Sequence, residues 1–208
     1  MDKIKLKKYF AEKCNKHLFK WEMKNQEKFQ VFDNNIKIYR GEGLGVDVLL
    51  NLEDEIKNFY AALKGWKVKW MLKPELGIDI EGSINILPIE EVLIGDVDFL
   101  PEKYPVMKNF TLLDYFYNEA AVGFYLDQPE KGLFYFEFDA NPQKLNLDFK
   151  GYLEMLKYTK GAAYWQKSVI EPIIDETSSP TIEKMNKLFP EITVKGFYEL
   201  YNTLRIDE

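Results

Sequence analysis

The chain has 208 residues, 46% of them hydrophobic and 30% charged, with a net charge of −6. That composition fills one sizeable core and excludes a disordered chain, while the acidic balance argues against a nucleic-acid binder, which needs a surplus of Lys and Arg for the phosphates. The longest apolar runs, such as "AAVGFYL" (120–126), fall far short of the about 20 residues of a membrane span.

The charge is uneven: residues 1–28 hold nine lysines against four acids, or +5, which leaves −11 on the rest. Leu6, Phe10, Cys14, His17 or Leu18, and Trp21 recur at three- and four-residue steps between those lysines, which predicts a basic amphipathic helix over 1–24. Its stripe fits core packing; a basic face of this kind also suits an anionic membrane or a partner. The segment is charged throughout, unlike a signal peptide, and a single cysteine excludes an internal disulfide, so a reducing cytoplasm is expected.

Next, "FDNNIKIYRGEGLGVD" (32–47) reads as a glycine-rich loop with at most a short strand. Asn51 can cap a helix carrying Ile56, Phe59, Tyr60 and Leu63, with Gly65 as its stop. The period then changes to two: "KVKWML" (67–72), "GIDIEG" (77–82) and "SINIL" (83–87) read as half-buried strands.

The clearest hairpin joins "AVGFYLD" (121–127) to "LFYFEFD" (133–139) through the turn "QPEKG". That pairing sets Val122, Phe124, Leu126, Phe134, Phe136 and Phe138 on one face, with Tyr125, Tyr135 and Glu137 on the other. A helix bearing Phe149, Tyr152, Leu153 and Leu156 ends near Gly161, and "AAYWQKSVI" (162–170) resumes helical. Ser179 and Pro180 start a helix that stops at Pro190, and a last one spans 196–204. Clustered strands between helices predict an α+β domain whose central antiparallel sheet, of five or six strands, is flanked by helices.

Catalytic groups are scarce. His17 is the only histidine, so serine–histidine and multi-histidine arrangements collapse onto one position, and Cys14 beside it makes at most half a metal site. "GEGLG" (41–45) lacks the Gly-Lys-Ser/Thr of a phosphate loop. Asp96 and Asp98 stand two apart, as in a cation loop, without the further rhythm of an EF-hand. No cofactor or metal is therefore expected. Tyr117, Tyr125, Tyr135 and Tyr158 are suited to core packing or, with their hydroxyls, to a protein interface.

The succession "NFYAALKGWKVKW" (58–70), "EGSINILPIEEVL" (81–93), "LLDYFYNEAAVGFYLD" (112–127) and "LDFKGYLEMLKYTKGAAYWQKSV" (147–169) resembles the SUKH superfamily. That group holds the yeast cell-wall assembly regulator, Syd and many bacterial toxin-immunity proteins. The match covers roughly 52–170. It rests on Gly65 leading to Trp70, on the Gly82, Ile84, Ile86, Leu87, Pro88 strand, on Asp114, and on Trp165 with Gln166. Residues 1–24 and 180–208 lie outside the pattern as additions to one domain spanning 1–208.

The resemblance implies a non-enzymatic, cytoplasmic protein-binding module, in particular an immunity protein covering the active site of a cognate, basic toxin domain. A regulatory scaffold binding a host enzyme, and a carboxylate-based hydrolase using Asp96, Asp98 or Asp114, are the alternatives. For the binding face the expected contacts are Asp96, Asp98, Glu119, Tyr125, Asp127, Tyr135 and Glu137, and Gly65, Trp70, Gly82, Ile84, Pro88, Asp114 and Trp165 are expected to be structural.

Overall fold

The computed structural model describes residues 5, 8–10, 12–38, 52–94, 105–117, 119–137, 140–170 and 177–206. Seven strands, β1 (Phe29–Ile38), β2 (Leu63–Leu72), β3 (Glu81–Ile86), β4 (Phe110–Tyr117), β5 (Ala120–Tyr125), β6 (Phe134–Glu137) and β7 (Gln143–Lys144), form one antiparallel sheet. Their order across the sheet is their order along the chain. Among the described residues the helices with defined bounds are α1 (His17–Asn25), entered through a π-helical turn, α2 (Asp54–Ala62), α3 (Ile89–Ile94), α4 (Phe149–Thr159), α5 (Lys167–Ile170), α6 (Pro180–Leu188) and α7 (Val194–Leu204). All seven contribute to one apolar core against the sheet, which is the expected α+β class with a larger sheet than the predicted five or six strands.

Three strands were not expected, β1, β4 and β7, while the two expected at 77–82 and 83–87 are the single strand β3. Residues 29–38 pair with β2 along nearly their whole length, where a loop is expected from the polar sequence. A register irregularity after Phe29 leaves Phe29 buried, while Val31, Asp33 and Asn35 lie on the solvated face of the sheet, the last two opposite Lys69 and Lys67. The predicted glycine-rich "GEGLG" part lies outside the described residues; α2 starts at Asp54 with Glu53, not Asn51, at its N-cap position. Gly65 does not stop α2; it lies within β2, facing Lys37, and the helix ends at Ala62. Residues 77–80, read as a strand, are irregular, and 162–170 is a series of turns with only α5 helical.

The hairpin register also differs. Val122 faces Tyr135 and Ala121 faces Phe136, so Tyr135 shares the core face with Val122 and Phe124, whereas Tyr125 lies on the opposite face with Phe134 and Phe136. A five-residue turn would pair Asp127 with Leu133. Instead Leu133 leaves the hairpin: its N–H donates to Leu147 O at 2.8 Å and its carbonyl accepts from Leu145 N at 2.9 Å. A slip of one residue transfers every side chain to the other face. On that far face Phe110, Phe136 and Met107 form a small second cluster with Tyr125 and Phe134.

Segments beyond 52–170 pack into the same core. Trp21 of α1 meets Phe29, Trp70 and Phe189 at centroid distances of 4.9, 5.5 and 4.8 Å, mostly edge to face, and such ring pairs add about 1 kcal/mol each beyond their buried area. The start of α1 is tied to the end of α4 by Lys160, whose Nζ lies 2.8 Å from His17 Nε2. Partial burial and the Lys160 and Lys157 charges push His17 down to about 4; burial pushes Lys160 down to about 8. Ser179, Thr193 and Asp148 cap α6, α7 and α4 through their side-chain oxygens. Among the described residues no helix is long and apolar enough to cross a membrane.

The tryptophan–glycine pair is set by one close approach. Trp70 faces Gly82 across β2 and β3, and a Cβ on Gly82 would lie 2.2 Å from the indole ring. The indole N–H, brought there, donates to Lys160 O at 2.7 Å. Gly82→Ala is expected to cost about 3 kcal/mol in urea unfolding through overpacking. Gly77→Ala, at φ 64 with open space around it, should cost only about 1 kcal/mol from its left-handed backbone.

Candidate functional site

Strands β3 and β4 touch at one register pair, Ile86 with Asp114, and diverge from there. Along the opened edge, β3 is paired instead by residues 161–163: Ser83 N donates to Gly161 O and Ala163 N to Glu81 O, both at 2.9 Å. Gly161 makes this possible at φ 67, with Ile84 where its Cβ would be. A register irregularity between Leu112 and Asp114 turns Leu112 to the far face and Asp114 to the core.

At the point of divergence Asp114 Oδ1 accepts the Asn85 backbone N–H at 2.7 Å, and Oδ2 accepts the Tyr152 hydroxyl of α4 at 2.9 Å. Asn85 Nδ2 donates to Tyr115 O at 2.9 Å, and Gln166 Nε2 approaches the Tyr152 hydroxyl at 3.4 Å. Asp114 is 0% exposed. Burial raises its carboxyl to about 7 against the opposing pull of the Asn85 and Tyr152 hydrogen bonds, and burial with the adjacent Asp114 pushes Tyr152 far upward. This carboxyl fastens strand to strand and sheet to helix, from inside the core.

Where β4 turns into β5, the ends of β3 and β6 and the 163–167 turns meet in a rim of tyrosines and carboxylates. Tyr164 stacks on Tyr117, centroids 5.3 Å apart and 15° between planes. Tyr164 donates to Glu119 Oε1 at 2.6 Å, Tyr135 to Glu137 Oε1 at 2.6 Å, and Tyr117 to Glu81. Lys167 Nζ lies 2.6 Å from Glu137 Oε1 and 5.0 Å above the Tyr164 ring. Burial, then the Glu119 bond and charge, raises Tyr164 to about 12; Tyr117 and Tyr135 are pushed higher still by the same causes, with Glu81 and Glu137 as their partners. The hydroxyls stay protonated and donate, so three carboxylates and one ammonium leave the rim a net −2.

The expected contact residues divide into two places. Glu119, Tyr135 and Glu137 come together at the rim, although Tyr135 is 2% exposed and serves as its floor. Tyr125 and Asp127 are on the other face, lining an open groove of about 550 Å³ with Val106, Lys108, Lys131 and Phe134. There Tyr125 donates to Val106 O at 3.0 Å and Asn109 Nδ2 to Asp127 Oδ2 at 2.9 Å; the Asn109 bond holds Asp127 below the usual carboxylate range. Asp96 and Asp98 lie outside the described residues.

Glu81, Tyr164 and Lys167 are rim residues that were not singled out from sequence, although they flank the Gly82 and Trp165–Gln166 signatures. Tyr158 binds the Thr193 backbone and joins α4 to α7. Among the described residues, no three of His, Cys, Asp and Glu converge as a metal site requires. No family profile, no curated protein and no solved structure matches this chain.

A carboxyl whose folded value lies above its unfolded one stabilises most at low pH and loses that contribution as pH rises, here from about 4 to about 7. Between those limits the slope for one proton is at most about 1.4 kcal/mol per pH unit. Asp114→Asn removes it, and rotation of the Gln166 amide, whose Oε1 lacks a partner, gives the Tyr152 hydroxyl a new acceptor. Urea unfolding should show the variant gaining on the wild type between pH 4.5 and 7; parallel pH profiles would refute the assignment.

Proposed function

We propose that this chain is a protein-binding module of the SUKH type, an immunity protein whose acidic tyrosine rim covers the active site of a cognate toxin domain rich in basic residues. The observation that carries the reading is Lys167. Its ammonium rests over the Tyr164 ring and against Glu137, an arrangement suited equally to a lysine or arginine offered from outside. Glu119, exposed beside it and tied to the same tyrosine, extends the acceptor surface.

Two further features support binding over catalysis. Asp114, the one buried carboxyl of the SUKH-like signature, has both oxygens engaged inside the core and faces no solvent. The tyrosines bring large, rigid contact area to the rim at little entropic cost, as protein interfaces favour. A surface with a net charge of −2 also hastens encounter with a basic partner more than it tightens the final complex.

The test is to express the chain together with the product of the neighbouring gene and measure the complex by surface plasmon resonance at low and high salt. Glu119→Lys should slow association by about tenfold and leave the melting temperature in place, because its side chain is exposed. Asp127→Lys, across the sheet, should leave the complex unchanged. A complex indifferent both to salt and to Glu119→Lys would remove acidic recognition at the rim.

A further inference from the structure

The N-terminal helix has a second face. Leu18, Trp21 and Asn25 of α1 are buried, as are Phe10 and Cys14 before it, so the stripe that an isolated amphipathic helix would offer to a membrane is already spent on the core. Turned away from the core are Phe19 and Met23, 54% and 52% exposed and one turn apart. Beside them runs a second row, Lys16, Lys20 and Lys24, also exposed and also spaced by four. Tyr9, 42% exposed, belongs to the same segment, which thus carries three of the five exposed large hydrophobic side chains among the described residues. The exposed acids described here, Glu12 and Glu27, stand at its two ends, and Glu22 is half-buried.

This face is basic on a chain that is otherwise acidic, +5 over residues 1–28 against −11 over the remainder. Two copies placed face to face would set lysine row against lysine row, so charge opposes a symmetric dimer here. We propose that the outward face of α1 docks on an anionic lipid surface. Phe19 and Met23 enter the boundary between headgroups and acyl chains, while Lys16, Lys20 and Lys24 lie along the headgroups with their stems against the apolar pair. The acidic body is repelled from the same surface, which orients the molecule and keeps the contact shallow and sensitive to salt.

The probe is a vesicle. The full chain is floated with phosphatidylcholine vesicles, and with vesicles containing about a third phosphatidylglycerol. Binding to the anionic vesicles alone, lost at high salt, is expected. Lys16→Gln, Lys20→Gln and Lys24→Gln combined, and separately Phe19→Ser with Met23→Ser, should each lower partitioning by about tenfold or more. Because these side chains face solvent, the circular-dichroism melt of each variant should match the wild type. Three results would overturn the proposal: equal binding to neutral and anionic vesicles, binding that survives both sets of substitutions, or capture by polyglutamate without capture by vesicles, which would point to an acidic protein instead.

Discussion

The fold depends on closing a gap. A seven-stranded antiparallel sheet that follows chain order would ordinarily be sewn by continuous ladders, but β3 and β4 meet at one register pair only. The Asp114 carboxylate takes the place of a backbone acceptor for Asn85, and the 161–163 segment takes the place of a neighbouring strand for Glu81 and Ser83. Trp70 then fixes that segment from beneath, since its indole both occupies the space over Gly82 and binds the Lys160 carbonyl. A buried backbone N–H left without a partner costs about 1 to 3 kcal/mol, so these substitutions are conditions of the architecture.

The rim is a by-product of the same junction. The segment that fills the gap carries Tyr164 and Lys167 outward immediately after Ala162 and Ala163 have paired with β3. This sets Tyr164 against Tyr117 and Lys167 against Glu137. A single turn sequence therefore faces inward through Trp165 and Gln166, which contact Tyr152, and outward through the residues on either side of them. Along this turn the residues that touch Tyr152 and those that form the rim are immediate neighbours.

Strands with a clear two-residue alternation, such as 67–72, and helices with a cap or proline start, such as α6, were legible from sequence, as was the α+β class. β1 was not, because the apolar Val31 is on its solvated face and the polar Asn34 is half-buried against the Trp66 indole N–H, so its alternation lacks contrast. The hairpin faces were missed for a non-local reason: Leu133 is drawn away by Leu145 and Leu147, which no pattern within the hairpin records. The rim was half legible. Glu119 and Glu137 stood out by charge and Tyr135 by its neighbours, whereas Tyr164 and Lys167 reach the site only through the crossing of 161–163 over β3.

The division between β3 and β4 also bears on how the polypeptide is made. During synthesis from the N-terminus, β1, β2 and β3 can zip together early, yet one flank of β3 is left bare until some eighty residues later the 161–163 stretch arrives. An uncovered strand flank is a template for unwanted pairing with other chains. A form of the chain ending before that stretch would leave the Glu81–Ser83 flank of β3 without the partner it has in the finished fold.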